Sequence, residues 1–107
     1  MKENNFIESA LKVIQIEGHA IFALQDQIQE KFNDLCTNIL ATKGKLILMG
    51  IGKSGHIAQK ISATLSSTGT PSFFIHPTEA AHGDLGMIDK KDAILILSNS
   101  GETKEII

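Results

Sequence analysis

The sequence predicts an α/β fold built on a parallel sheet, and three observations carry that prediction. Lys45 to Met49 is a short apolar run of strand length stopped by Gly50, the pattern of a strand covered on both faces. A glycine-rich turn, Gly50-Ile51-Gly52-Lys53-Ser54-Gly55, follows and opens a helical pattern. A later apolar run, Ala93 to Leu97, again ends in a polar turn that opens a helix, Ser98-Asn99-Ser100-Gly101-Glu102-Thr103. Strands separated by helices in this order pair in parallel through right-handed crossovers.

Ahead of the sheet, Ile7, Leu11 and Ile14 recur at helical spacing and predict an amphipathic helix from Asn5 to about Ile16. Gly18 and His19 are expected to interrupt it. A second helix should then carry Ile21, Leu24, Ile28, Leu35 and Ile39 to about Thr42, with Lys43 and Gly44 as its stop. That helix would run about 23 residues, or roughly 35 Å, more than a crossover helix needs, so it either packs a partner subunit or simply covers the sheet.

After the glycine turn, Ile57, Ile61 and Leu65 mark a third helix from Ser54 to about Ser66. Ser66 to Pro71 is a loop, Ser72 to Ile75 a second strand, and His76-Pro77 its end. Thr78 to Gly86 mixes one helical turn with glycines, and Lys90-Lys91 precede the third strand. The last helix has barely begun at Ile107, which would leave the third strand uncovered. The chain is therefore expected to be a piece of a longer protein and to associate with further copies of itself.

Composition narrows the function. The 107 residues, 42% hydrophobic and 21% charged, suffice for one core and not for two. A net charge of −2 without Lys/Arg clusters gives no electrostatic footprint for nucleic acid or membrane, which leaves small polar metabolites as partners. No run approaches the roughly 18 apolar residues of a membrane span, and MKENNFIESA lacks a signal-peptide core, so the expected compartment is cytoplasmic. Cys36 has no second cysteine to pair with, and its place on an apolar helix face predicts a buried, inert thiol.

The two turns are the candidate chemistry. Gly50, Gly52 and Gly55 have G-x-G-x-x-G spacing and would let the backbone adopt positive φ and approach a ligand, while Ser54 would cap the helix. Gly52, Lys53 and Ser54 are thus candidate ligand contacts. A nicotinamide site would also want an acid at the end of the second strand, where His76 and Pro77 stand with Glu79 a little late. A P-loop would want its first glycine at Ile47. In the second turn, Ser98, Ser100 and Thr103 with the amides around Gly101 form a neutral donor cup suited to a phosphate dianion. Either turn alone commonly just caps a helix. Two at the carboxyl end of one parallel sheet favour a ligand, because open α/β sheets bind there.

GIGKSG, STGTPSFFIHPTEAAHGDLGMI and SNSGETKE together resemble the sugar isomerase (SIS) domain of arabinose 5-phosphate isomerases, and the likeness runs through essentially the whole chain. SNSGET by itself points to an SIS domain; AAHGDLG with GKSG narrows the likeness to this isomerase group. The resemblance implies a flavodoxin-like three-layer αβα fold with a five-stranded parallel sheet, of which this chain would hold the first three strands. Residues 1–44 would be leading helices and 45–107 the first three βα units, with the rest of the SIS domain and any CBS pair outside the sequence.

The implied activity is the interconversion of ribulose 5-phosphate and arabinose 5-phosphate on the way to the Kdo sugar of lipopolysaccharide. No cofactor or metal is implied, and a homodimer or homotetramer is expected. By the family's pattern Ser98, Ser100 and Thr103 would hold the phosphate, while Lys53, His82 and Glu105 would line the reacting end. A further glutamate and histidine of the family fall beyond Ile107, so the fragment alone is expected to be inactive.

Such an isomerisation moves a proton between C1 and C2 through an enediol, so it needs a base, proton transfer between O1 and O2, and a cation beside the oxyanion. Lys53 suits the cation. Glu105 and His82 suit proton shuttling, although Glu105 could equally be an exposed first-turn acid and His82 a loop-ordering donor. Asp84 is better placed to fix the HGD turn. Two other readings stay open: a non-catalytic phosphosugar-sensing module, and a nucleotide-binding Rossmann unit that NAD would stabilise.

Overall fold

Five consecutive residues withdrawn from water, Leu46–Gly50, form the central strand β1 of a three-stranded sheet. The computed structural model describes residues 5–81, 86 and 88–99. Within them run α1 (Phe6–Ala23), a 3-10 turn (Leu24–Asp26), α2 (Glu30–Ala41), β1, α3 (Lys53–Ser67), β2 (Ser72–Phe74), α4 (Pro77–Ala81) and β3 (Ala93–Leu97). The chain forms two compact units, Met1–Cys36 and Thr37–Ile107.

In the first unit Asn5 caps α1, its Oδ1 accepting from the amide of Glu8 at 2.9 Å. The helix then runs unbroken through Gly18 and His19, where a break is expected from sequence. A helix-interior glycine costs only about 1 kcal/mol relative to alanine, and eighteen helical residues absorb it. The interruption comes later. After the 3-10 turn, Gln29 Nε2 donates to the carbonyl of Asp26 at 3.2 Å, and α2 starts afresh at Glu30. The single helix expected from Ile21 to Thr42 is thus two helices and a turn. Phe6, Ile7, Leu11 and Ile14 line α1 and are all exposed. Cys36 is half-buried rather than buried, and its thiol is free.

The second unit holds the sheet, ordered β2-β1-β3 and parallel throughout, with Leu46 to Leu48 paired to Ser72 to Phe74 and Leu46 to Gly50 paired to Ala93 to Leu97. The period-2 alternation sorts its side chains onto two faces. Leu46, Leu48, Phe74, Ala93, Leu95 and Leu97 gather with Ala58 and Ile61 of α3 and with Ile39 at the end of α2. Ile47, Met49 and Ile75 pack on the other face with Phe73 and Ile88. β1 is buried along its whole length because it has a strand on each side. β3 is covered on one face only, which leaves Ile94 and Ile96 exposed.

Asp92 ties the start of β1 to the approach of β3. Its Oδ1 accepts from the amide of Lys45 at 2.7 Å and its Oδ2 from the amide of Asp89 at 2.8 Å, with the Lys45 ammonium 3.5 Å away. Gly44 is required beside it, since a Cβ there would strike Asp92 Oδ1 and stand 2.8 Å from the carbonyl of Lys91. The amide of Asp89, then that of Lys45, then the Lys45 charge hold the Asp92 carboxyl below its ordinary range against the cost of burial. A depressed native pKa stabilises the fold above the unfolded pKa, near 4, and that contribution disappears as pH falls through the native value. Asp92→Asn can accept from only one of the two amides, so its urea midpoint should fall below wild type at neutral pH, and the gap should close in acid. A gap that does not narrow at all as pH falls from neutral through the acid range would rule out the carboxylate as its source.

Candidate active site at the carboxyl edge of the sheet

Three chain segments leave the sheet side by side at its carboxyl edge. Gly50 pairs with Leu97, and Ile75 donates its amide to the carbonyl of Leu48 at 2.9 Å. Ile51, His76 and Ser98 therefore begin adjacent exits, with the β1 exit in the middle.

The three glycines of the middle exit do different things. Gly52 is the N-cap of α3, with φ 63° and ψ −130°, a conformation that glycine adopts at least cost, and a Cβ on it would meet nothing within 4 Å. Gly50 and Gly55 do not have positive φ. They are small because the strand end and the helix start touch: a Cβ on Gly55 would lie 2.6 Å from the Gly50 carbonyl oxygen. Ser54 does not cap α3 as expected from sequence; the helix begins one residue earlier and has no side-chain cap. The first helical bond runs from the amide of His56 to the carbonyl of Gly52 at 3.2 Å, so the amides of Lys53, Ser54 and Gly55 precede it at the positive end of the helix.

Lys53 stands exposed on that first turn, which contains no acidic residue. Among the described residues it makes no ion pair. A cation at a helix N-terminus is unfavourable by about 0.3–1 kcal/mol, so local electrostatics do not account for it. Lys53, itself exposed, thus adds its charge to the positive end of the helix. Ser98 and Asn99 are exposed at the β3 exit. The edge thus brings together Gly52, Lys53, Ser54 and Ser98. His82, Ser100, Thr103 and Glu105 lie outside the described residues.

A cleft of about 190 Å³ lies at the opposite, amino end of β1, between Ile39, Thr42, Leu46 and the Gly69–Pro71 turn. It is lined by no titratable side chain, whereas the candidate residues Lys53, Ser54 and Ser98 stand at the other edge. On the β2 side of that edge stands a residue that strand and turn patterns do not single out. His76 accepts at Nδ1 from the amide of Thr78, 3.1 Å away, and meets Phe74 edge-on, 6.4 Å between ring centres. The only hint in the sequence is a histidine ahead of Pro-Thr, a polar residue in N-cap position with proline at N1.

A parallel sheet with helices, whose central strand runs through a glycine turn into α3 at the carboxyl edge, defines an open α/β class of domain. The SIS domain profile matches residues 39–107, and the chain belongs to the SIS domain family. It is 53% identical over 108 aligned residues to the arabinose 5-phosphate isomerase KdsD of Pseudomonas aeruginosa, covering all of this chain and 33% of that protein. It is 48% identical over 102 residues to KdsD of Escherichia coli K12, covering 95% of this chain and 31% of that protein. The chain therefore spans about a third of the length of these relatives. Its fold matches the E. coli CFT073 protein c3406, solved in complex with arabinose 5-phosphate, with a TM-score of 0.90 at 44% identity, over 99% of this chain and 56% of that one.

Proposed function

We propose that this chain is the N-terminal part of the SIS domain of an aldose–ketose isomerase that interconverts ribulose 5-phosphate and arabinose 5-phosphate, in the supply of Kdo for lipopolysaccharide. Residues 1–44 are then leading helices and 45–107 the first three βα units. The observation that carries this reading is the Lys53 turn beside the Ser98 turn at the carboxyl edge, in a chain whose fold matches a structure solved with arabinose 5-phosphate.

On this reading the turn that starts at Ser98 and includes Ser100 and Thr103 binds the phosphate. Gly52 and Ser54 border the sugar, and Lys53 steadies the negative charge that develops on O1 or O2 in the enediolate. Glu105 and His82 move protons between carbon and oxygen. The test is an assay of ribulose 5-phosphate conversion to arabinose 5-phosphate with this chain and with the intact protein. Activity in the intact protein alone is the expected result; none in either refutes the assignment.

The apolar residues exposed along α1, Phe6, Ile7, Leu11 and Ile14, support assembly with a second copy through that helix. Light scattering on the intact protein should then give a dimer or tetramer, and a stable monomer excludes it.

A further inference from the structure

The two adjacent phenylalanines of β2 go to opposite faces of the sheet, as the period-2 alternation requires. Phe73 packs with Ile47, Met49 and Ile75, and the Lys45 ammonium lies 5.6 Å from its ring centre. Phe74 packs on the α3 face with the cluster of Leu46, Leu48 and Ala58. It is the last residue of β2 and pairs with Leu48, which brings its ring to the carboxyl half of β1. There it reaches the first turn of α3. Outside Gly55's own helix and chain neighbours, the atoms nearest to where its Cβ would be are the Gly50 carbonyl oxygen at 2.6 Å, the Gly50 carbonyl carbon at 3.1 Å and Phe74 Cζ at 3.7 Å. The turn is thus bounded by the end of β1 and by the tip of the Phe74 ring.

These bounds matter for Lys53, which lies two residues before Gly55 on the same turn. Lys53 is exposed and makes no ion pair among the described residues, and no side chain caps the start of the helix. The place of its ammonium therefore depends on the backbone of the turn, and that backbone on what stands against it. Gly50 belongs to the strand that leads into the turn, so its approach fixes one side. Phe74 comes from another strand and fixes a second side. The ring is itself held, half-buried in the core cluster and edge-on to His76 at 72° with 6.4 Å between ring centres.

We infer that Phe74 is a positioning residue for Lys53: its ring tip holds the first turn of α3 in place, so that the ammonium meets the negative charge of the developing enediolate. The inference rests on the isomerase reading above. Phe74 touches no substrate in this role and acts through the lysine. Its strand is separated from the β3 exit by two strand spacings, roughly 10 Å, so a change at Phe74 reaches the lysine turn and not a phosphate held at Ser98. The effect therefore falls on kcat rather than on KM.

The test is a double-mutant cycle in the intact protein, with kinetics measured well below the melting temperature of every variant. Phe74→Leu removes the ring tip and keeps an apolar side chain in the core, while Phe74→Met reaches about as far as the ring. Phe73→Leu makes the same change on the opposite face. We expect Phe74→Leu to lower kcat for ribulose 5-phosphate about 10-fold with KM within about 2-fold, because a small misplacement of a catalytic group is costly. Phe74→Met should lose only about 2- to 3-fold, and it carries the same cycle should Phe74→Leu not fold. Phe73→Leu should lower the urea midpoint and leave kcat unchanged. In the Lys53→Ala background, Phe74→Leu should cost nothing further, since no ammonium is left to misplace. A wild-type kcat in Phe74→Leu, an equal loss in Phe73→Leu, or the same loss with and without Lys53→Ala overturns the inference and leaves the isomerase reading standing. Wild-type protein that neither binds nor converts either pentose phosphate overturns both.

Discussion

Lys53→Ala in the intact protein should lower kcat for ribulose 5-phosphate isomerisation by about 10²- to 10³-fold, the usual effect of removing one group that stabilises a developing oxyanion. The fold should not suffer. Lys53 is exposed, makes no ion pair among the described residues and sits where the helix dipole disfavours a cation, so its removal should leave stability within about 0.5 kcal/mol or slightly raise it. This combination distinguishes a lysine placed for chemistry from one that is merely solvated. If its role is electrostatic, Lys53→Arg should retain more activity than Lys53→Met, because a positive charge survives although its shape differs. Steady-state kinetics beside a urea melt checks all of this. Wild-type turnover in Lys53→Ala would remove Lys53 from the mechanism whatever else the site does.

How legible the fold was from sequence depended on whether its causes were local. The apolar run before Gly50 and the run from Ala93 to Leu97 declare themselves as strands, and the structure places both where expected, β1 shifted by one residue. Parallel pairing followed from the intervening helix. The leading helices were misdivided because Gly18 is a local breaker that long-helix cooperativity overrides, while the actual interruption at Leu24 to Gln29 contains neither glycine nor proline.

The site divides the same way. Lys53 and Ser98 could be placed from their own turns, but Ser54 was misplaced because G-x-G-x-x-G does not reveal which glycine serves conformation and which serves contact. Asp92 and His76 were invisible as organisers. The bond from Lys45 to Asp92 spans 47 residues, and the orientation of His76 depends on a ring contact and a cap that no periodicity encodes.

The contact glycines give the second large effect, and one with an opposite-signed control. Gly55→Ala should destabilise the protein by about 3 kcal/mol, at the upper end of what overpacking costs. The added methyl would press on the Gly50 carbonyl at 2.6 Å, and backbone on both sides cannot swing aside as a side chain would. Relief would require α3 to lift from the end of β1, separating Ala58 from Leu46 and Leu48 in the core. Gly18→Ala makes the same chemical change inside α1, where a new Cβ meets nothing within 4 Å, and should stabilise by about 0.5–1 kcal/mol through the helix backbone alone. Urea unfolding of the two variants should therefore move the midpoint in opposite directions with little change in slope. Should Gly55→Ala match wild type, the strand-to-helix contact would be loose rather than packed. The first turn of α3, and with it Lys53, would then owe its position to something other than the Gly50–Gly55 approach.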